Sequence, residues 1–212
     1  MNVQHVATSS LPTRHGDFIA HVFLDEQGLE HTALVAGQPS AGFLVRLHSE
    51  CATGDIWGSL RCDCGDQLEK SLRQISAQGG MLIYLRGHEG RGIGLANKIK
   101  AYALQDRGLN TIDANLHLGL PVDSRDYRAA IEILRHFKID TVKLLSNNPQ
   151  KVSALIEAGI TVLETVSLWT TLNPHNEAYI DTKKKLMGHG RFIDATHPMM
   201  AASQASSEMM AA

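Results

Sequence analysis

The stretch CATGDIWGSLRCDC (residues 51–64) contains all three cysteines of the chain. Cys62 and Cys64 are two residues apart, so in an extended segment both thiols point to the same face. Cys51 joins them if the chain folds back across the intervening Thr-Gly-Asp turn. Three thiolates on one side of a loop are typical of a zinc site whose fourth position is left for water, which is the pattern of a catalytic centre.

Spacing alone leaves other interpretations of the cysteines open. His48 lies close enough in sequence to supply a fourth ligand and so complete a structural zinc site. The thiols could also be buried and free, or two of them could form a disulfide. A bridge between Cys62 and Cys64 would be strained, and an odd number of cysteines leaves one thiol over.

Length and composition are those of an ordinary globular protein. The chain has 212 residues and a mass of 23.1 kDa, which is enough for a large domain with its own core. Hydrophobic residues make up 43% and the formal net charge is −2, so neither a nucleic-acid partner nor a membrane partner is indicated. The first residues lack the apolar region of a signal peptide and no run is long enough to span a bilayer, so we expect a cytoplasmic protein.

Hydrophobic periodicity predicts alternating strands and helices. Strands are expected at residues 17–25, 31–35 and 42–47, with the first two antiparallel, and then at 81–85, 111–116, 141–146 and 160–166. Helices are expected at 66–78, capped by Asp66, and then up to about residue 106, up to about 137 and from 149 to 159. The helix before residue 106 places Leu95, Ile99, Tyr102 and Ala103 towards one side, and Asp123 or Ser124 would cap the next one.

This alternation predicts an α/β domain, with a mixed sheet flanked by helices and antiparallel strands at one edge. We expect one domain over residues 1–195. Residues 196–212 form an Ala/Ser/Met-rich tail, which we expect to be poorly ordered or to form a helix that contacts a partner.

Two loops have the composition of anion-binding sites. The segment RGHEGRGIG (residues 86–94) combines four glycines with Arg86 and Arg91, and leads into a helix N-terminus. The strand that ends at Ser146 enters a helix at Pro149, with Lys151 close by. Glycines alone could mean only a tight connection, but the neighbouring arginines favour phosphate.

Six motifs in order resemble GTP cyclohydrolase II: RLHSEC (46–51), GSLRCDCGDQL (58–68), HEGRGIGLANKIKAYALQD (88–106), DSRDY (123–127), LLSNNPQK (144–151) and DTKKKLMGH (181–189). The similarity covers roughly residues 5–190. It implies a zinc enzyme of riboflavin biosynthesis that converts GTP and water to 2,5-diamino-6-ribosylamino-4(3H)-pyrimidinone 5′-phosphate, formate and pyrophosphate. It also implies Mg²⁺ bound with the triphosphate, and a homodimer.

The resemblance also implies roles for individual residues. One zinc ion per subunit, with water as its fourth ligand, would be held by Cys51, Cys62 and Cys64. Asp123 matches a proton acceptor, Arg125 a nucleophile that displaces pyrophosphate, and Tyr102 a tyrosine near the base. The positions that match nucleotide-binding residues are Arg46, Leu47, His48, Ser49, Glu50, Gln67, Glu89, Gly90, Arg91, Thr111, Ser146 and Lys151.

Chemistry leaves the role of Arg125 open between two mechanisms. A guanidinium is almost always protonated, which makes it an unusual nucleophile. Arg125 could instead stabilise the charge of the phosphoryl transition state, with Asp123 holding it in place.

Departures from the family pattern are small. Ser146 stands where many relatives have threonine, and His88 stands where others often have glutamine. The chain is too short for the fused dihydroxybutanone-phosphate synthase domain of many relatives, so we expect a single activity.

Two alternative functions are also compatible with the sequence. One is a paralogue that supplies another pyrimidine-derived pathway. The other is a zinc- and nucleotide-binding module without catalysis, which predicts damage at Asp123, Arg125 or the cysteines, and all five positions are intact. A nucleic-acid-binding zinc protein is disfavoured because the chain is acidic and carries no basic stripe.

Overall fold

The computed structural model describes residues 2–177 and 180–182. The strands in these ranges are β1 (Val3–Thr13), β2 (Gly16–Asp25), β3 (Glu30–Ala36), β4 (Phe43–Ser49), β5 (Gly80–Leu85), β6 (Thr141–Leu145) and β7 (Thr161–Val166). The helices are α1 (Ala52–Asp55), α2 (Cys64–Gln78), α3 (Leu95–Gln105), α4 (Thr111–His117), α5 (Arg128–His136) and α6 (Pro149–Glu157), with a short 3₁₀ turn at Glu89–Arg91.

The strands form one sheet in the order β1-β2-β3-β5-β4-β6-β7. The neighbouring pairs β1–β2, β2–β3 and β3–β5 are antiparallel. Strands β5, β4, β6 and β7 are parallel. This confirms the predicted α/β class, with a mixed sheet and antiparallel strands at one edge.

Apolar side chains fill the space on both faces of the sheet. On β5, Ile83 enters one apolar cluster and Leu82 enters the other, as the two-residue period of a strand requires. The first cluster contains Ile133 of α5 and Leu155 of α6, and the second contains Ile75 of α2. All five side chains are 0% exposed, and burial of each contributes about 1.5–3 kcal/mol to folding.

The parallel strands determine where a ligand can bind. Because β4, β5 and β6 are parallel neighbours, their carboxyl ends meet at one edge of the sheet. The cysteine stretch follows β4, the glycine-rich loop follows β5, and α6 follows β6. In open α/β sheets this edge is the usual place for a ligand site.

One predicted strand is wrong, since residues 111–116 belong to helix α4 (Thr111–His117). The β-branched pair Thr111 and Ile112 favours a strand by propensity. The side chain of Asn110 overrides this preference, because its oxygen accepts hydrogen bonds from the N–H groups of Ile112 and Asp113, both at 2.9 Å. Such a cap stabilises a helix start by about 1 kcal/mol.

Two predicted helix caps are also wrong. Helix α2 begins at Cys64, so Asp66 lies in its first turn, where its charge suits the helix dipole. Helix α5 begins only at Arg128, and neither Asp123 nor Ser124 caps it, because Asp123 accepts from Arg125 and Ser124 donates to the Arg91 carbonyl of the glycine-rich loop. The predicted entry at Pro149 is confirmed, with the Asn148 side chain accepting from the next free N–H of α6.

Helix α3 buries a lysine and leaves part of its apolar side exposed. Leu95 and Ile99 are 37% and 48% exposed, whereas Lys98 is buried. The sequence predicted only that Leu95 and Ile99 lie towards one side of the helix. Polar partners of the lysine, described below, account for its burial.

The first strand, β1, was not predicted. Its side chains are mostly exposed, and it includes Pro12, which is tolerated at a sheet edge. The predicted tail at residues 196–212 lies outside the described residues, and the single-domain boundary at 195 stays a prediction. No helix in the part of the chain that the structure describes is both long and apolar enough to cross a membrane.

Candidate functional site

A cleft at the carboxyl ends of β4, β5 and β6 brings together most of the predicted site residues. One half contains the cysteines and is lined by Ser49, Glu50, Cys51, Cys62, Cys64, Gly90, Arg91, Tyr102, Thr111 and Arg125. The other half is lined by Arg46, His48, Ser49, Cys64, Gln67, Arg91, Arg125, Ser146 and Lys151. Since Ser49, Cys64, Arg91 and Arg125 belong to both halves, the two form one continuous site.

The three cysteines converge as the sequence predicted. Their sulfur atoms lie within 4.8 Å of one another, and Cys51 Sγ is 3.7 Å from Cys62 Sγ. A tetrahedral zinc with Zn–S bonds of about 2.3 Å separates its sulfurs by about 3.8 Å. The cysteines are free, so the disulfide alternative is wrong. The donor set and spacing therefore fit a zinc ion.

Glycine makes this convergence possible. A Cβ on Gly54 would lie 2.9 Å from Cys62 Sγ, and one on Gly65 would lie 2.5 Å from the Gly54 carbonyl oxygen. Real Cβ atoms do not approach so closely, so the two backbone segments can meet around the thiols only because both positions are glycine.

His48 does not complete the cysteine group. Its Nε2 lies 3.1 Å from both carboxylate oxygens of Asp55 and its ring stacks on Tyr84. Among the described residues, the group of convergent ligand atoms contains the three cysteines and not His48. This argues against a closed structural site with His48 as fourth ligand.

Asp55 connects the cysteine loop to two strands. Besides His48 on β4, it accepts hydrogen bonds from the Tyr84 hydroxyl on β5 at 2.8 Å and from the Cys51 backbone N–H at 3.0 Å. Burial lowers the pKa of His48, although Asp55 opposes this effect. Sequence reasoning missed the roles of Asp55 and Tyr84, and these two partners lie 29 residues apart in the chain.

Lys98 is a further site residue that sequence reasoning missed. Its ammonium donates to Cys51 Sγ at 3.0 Å, to Thr53 Oγ1 at 2.7 Å and to Glu89 Oε1 at 2.7 Å. Burial by itself lowers the pKa of Lys98, but the Cys51 thiolate, Tyr102 and Glu89 together raise it above its ordinary value. The available signal was that Lys98 lies four residues before Tyr102, and therefore on the same helix face.

The predicted nucleotide-binding residue Glu89 is committed to protein contacts. Its side chain is 8% exposed, with one oxygen bonded to Lys98 and the other accepting from the Ala52 backbone N–H. Leu47 is likewise buried, and its carbonyl oxygen accepts from Lys151 Nζ at 2.7 Å. These two side chains lie behind the cleft wall rather than in it.

The Asp123 carboxylate holds Arg125 at the junction of the two halves. Arg125 Nε donates to Asp123 Oδ1 at 2.9 Å, the Arg125 backbone N–H donates to the same oxygen at 3.1 Å, and a terminal guanidinium nitrogen reaches Oδ2. Burial would raise the pKa of Asp123, but the Arg125 guanidinium lowers it below its ordinary value. Asp123 is therefore ionised at neutral pH.

The half of the cleft lined by Arg46 and Lys151 is cationic. Arg46 is fully buried and donates to the Leu145 carbonyl at 3.0 Å and to Gln67 Oε1 at 2.7 Å. Burial lowers the pKa of Arg46 to about 10, so it still carries a charge at neutral pH. The buried Lys151 and the N-terminus of α6 add to this field.

The glycine-rich loop contributes less cationic surface than its composition predicted. Arg86 Nε donates to Glu50 Oε1 at 2.8 Å, and the Gly87 N–H donates to the other oxygen at 2.7 Å. Arg86 is thus paired at the rim. Arg91, which has a left-handed backbone (φ +65°), lines both halves of the cleft.

The two remaining predicted residues lie at the cysteine end. Tyr102 on α3 and Thr111 at the start of α4 line the same half. The guanidinium of Arg61 lies 4.4 Å from the centre of the Tyr102 ring. Thr111 reaches this place because residues 111–117 are helical.

His88, which stands where relatives often have glutamine, connects two loops of the site. Its Nε2 donates to the Asp126 carbonyl at 2.9 Å, and its Nδ1 lies 3.1 Å from Ser49 Oγ. Burial, with Arg125 and Lys151 nearby, lowers its pKa to about 4. His88 is therefore neutral at physiological pH.

Most of the chain is similar in sequence to known proteins of one family. A sequence model of the family described as GTP cyclohydrolase II matches residues 4–167. The GTP cyclohydrolase-2 of Azotobacter vinelandii is 55% identical over 193 residues, covering 89% of this chain and 92% of that protein. That of Neisseria gonorrhoeae is 50% identical over 190 residues, covering 88% and 96%. The riboflavin biosynthesis protein RibBA of Salinispora tropica is 50% identical over 191 residues, which is 88% of this chain and 48% of that protein.

Proposed function

The chain belongs to the GTP cyclohydrolase II family, and from this premise we propose that it hydrolyses GTP to 2,5-diamino-6-ribosylamino-4(3H)-pyrimidinone 5′-phosphate, formate and pyrophosphate with the help of zinc. This is the entry step of riboflavin biosynthesis.

One observation carries the proposal: a single cleft has a three-thiol group at one end, a buried cationic group at the other, and Arg125 between them. Ring hydrolysis needs an activated water at the base, and pyrophosphate release needs positive charge at the phosphates. The thiols are suited to the first of these tasks and the buried cations to the second.

The triphosphate is proposed to lie in the cationic half. Arg46 and Lys151 are buried there, and α6 directs its N-terminus to the same place. Donors held by the protein need no reorganisation when charge develops on the phosphates. Mg²⁺ would be held chiefly by phosphate oxygens and water, as is common for this ion.

The base is proposed to lie at the cysteine end, beside Tyr102 and Thr111. A zinc ion held by Cys51, Cys62 and Cys64 would supply Lewis-acid activation of water there. The surrounding residues orient the base towards the thiols and limit access of bulk water.

We propose that Arg125 acts as an electrostatic stabiliser of the reacting phosphate rather than as a covalent nucleophile. Its guanidinium is paired with an ionised carboxylate, which favours the cation over the neutral, nucleophilic form. Asp123 positions the guanidinium through two side-chain contacts, and Arg125 faces both halves of the cleft.

A homodimer is also proposed on the strength of the family resemblance. The exposed Leu95, Ile99 and Leu116 on α3 and α4 supply apolar surface that a second copy would cover. Light scattering on the eluate of a sizing column measures the mass directly, and a monomer at micromolar concentration would refute this assignment.

The experiment that tests the proposed function is a discontinuous assay of the purified protein with GTP and Mg²⁺, with and without a zinc chelator. Pyrophosphate, formate and the diaminopyrimidine are each quantified. Equal amounts of the three, with formate lost on chelation, support the proposal.

Other outcomes identify the alternatives. GTP binding without any product would indicate an inactive module. A pyrimidine that retains its formyl group would indicate a specialised paralogue. An Arg125→Ala variant should lose pyrophosphate release, and normal turnover by that variant would exclude Arg125 from the mechanism.

A further inference from the structure

Outside the residues that the family resemblance assigns, the buried lysine Lys98 has the most specific surroundings. Its side chain is 10% exposed, and its three hydrogen-bond partners are Cys51 Sγ, Thr53 Oγ1 and Glu89 Oε1. An ammonium group has three N–H donors, so these partners account for all of them. The position of the ammonium is therefore fully determined.

Glu89 and Lys98 together contact three consecutive residues of the cysteine loop. Lys98 bonds the side chains of Cys51 and Thr53, and the second oxygen of Glu89 accepts from the backbone N–H of Ala52. Glu89 belongs to the turn after β5, and Lys98 belongs to helix α3. The cysteine loop is therefore attached to two elements that are not adjacent to it in sequence.

We propose that Lys98 is a positioning residue for the metal ligand Cys51, and that Glu89 acts by holding Lys98 rather than by binding the nucleotide. This inference rests on the proposed zinc site at the cysteines.

Charge gives the physical reason. Three thiolates around a Zn²⁺ ion leave a net charge of about −1 in a buried place, and the Glu89 carboxylate adds a second negative charge nearby. The ammonium lies between these two anionic groups, where it offsets their repulsion. Its hydrogen bond also fixes the direction of the Cys51 sulfur, in the way that outer partners orient metal ligands in other proteins.

The test measures zinc affinity, not turnover. Wild type, Lys98→Met and a control, Lys100→Met, are stripped of metal and titrated with zinc against a competing chromophoric chelator. Lys100 is an exposed lysine on the same helix. Removal of an outer partner typically weakens metal binding about 10- to 100-fold, and we expect a loss of this size for Lys98→Met and none for Lys100→Met.

A double variant separates the thiolate contact from the unpaired charge that Lys98→Met leaves on Glu89. Lys98→Met/Glu89→Gln has no unpaired buried carboxylate, and its glutamine oxygen can still accept from Ala52. We expect its zinc affinity to stay at least tenfold below that of wild type. This variant also carries the test if the single variant does not fold.

Cobalt substitution gives a spectroscopic signature. Loss of the ammonium hydrogen bond raises the energy of the Cys51 sulfur electrons, so the thiolate-to-Co²⁺ charge-transfer band should move to longer wavelength in both Lys98 variants. A purely structural effect elsewhere in α3 would not move this band.

The outcomes separate this inference from the proposed function. A wild-type protein that binds no zinc would overturn the metal site itself. Wild-type zinc binding with unchanged affinity in Lys98→Met would overturn the role of Lys98 alone. Full recovery of affinity in the double variant would show that the Glu89 charge, not the thiolate contact, caused the loss.

Discussion

The substitution Asp123→Asn distinguishes the two mechanisms open to Arg125. If Asp123 must deprotonate Arg125 for a covalent step, asparagine cannot replace it. If Asp123 only positions a permanently charged guanidinium, asparagine retains part of that function. The shape of the side chain is unchanged in either case.

The contacts of Asp123 determine how much the substitution should slow pyrophosphate release. An asparagine oxygen at the Oδ1 position keeps the bonds from Arg125 Nε (2.9 Å) and from the Arg125 backbone N–H (3.1 Å). The bond to Oδ2 is lost, because an amide NH₂ cannot accept from the guanidinium. A hydrogen bond to a charged group is worth about 1.5–3 kcal/mol. If the whole loss appears in the transition state, pyrophosphate release slows roughly 10- to 150-fold.

The assay is single-turnover pyrophosphate release with saturating GTP and Mg²⁺, with Asp126→Asn as a control. Asp126 lies in the same loop, but its carboxylate is more exposed and pairs with Arg128 at the surface, so its loss should matter little. A decrease of more than about 10³-fold for Asp123→Asn would refute the positioning role, since it approaches the upper part of the range for a general base. A guanylyl adduct on Arg125 in the mass spectrum of quenched enzyme would refute it directly.

Three further predictions test separate parts of the site. Cys62→Ser should abolish formate release but leave part of the pyrophosphate release, because the proposed sites of base and phosphate chemistry lie in different halves of the cleft; full formate release would exclude the metal role. His88→Gln should make the stability of the fold less sensitive to acid. The pKa of His88 is about 4 in the folded protein against an ordinary 6.5, so the folded state takes up this proton at lower pH than the unfolded chain. The free energy of unfolding of the wild type therefore falls as the pH falls through this window. The variant should therefore lose up to about 3 kcal/mol less unfolding free energy than wild type between pH 7 and 4. Urea unfolding at several pH values measures this, and an equal loss in both proteins would contradict the low pKa of His88. Asn110→Ala should cost about 1 kcal/mol of unfolding free energy through the lost cap of α4, and should raise the KM for GTP if Thr111 binds the nucleotide; unchanged stability would show that the cap is unimportant.

Local pattern was sufficient for much of the fold. The strands and helices that carry the cysteine stretch, the glycine-rich loop and the Pro149 entry were predicted because each has a strong periodicity or a specific turn residue. The α4 segment was misassigned because a side-chain cap overrode β-branched propensity. The burial of Lys98 on α3 was not predicted, because a lysine with three polar partners can occupy a core position that an apolar pattern does not reveal.

The sequence by itself determined the α/β class and the candidate metal ligands, since these depend on residue types at short spacing. Its ordered motifs, through their resemblance to a known family, supplied the nucleotide-contact candidates. Only the tertiary structure decided which candidates face the cleft. It showed that Glu89 is held by Lys98 and Ala52, that Asp123 pairs with Arg125, and that His48 is bound to Asp55. The physical reason is that a hydrogen bond has direction and short range. Its partners are set by how β4, β5 and the loops after them meet in space, and separations of up to 104 residues along the chain, as between Lys151 and Leu47, are invisible to local pattern.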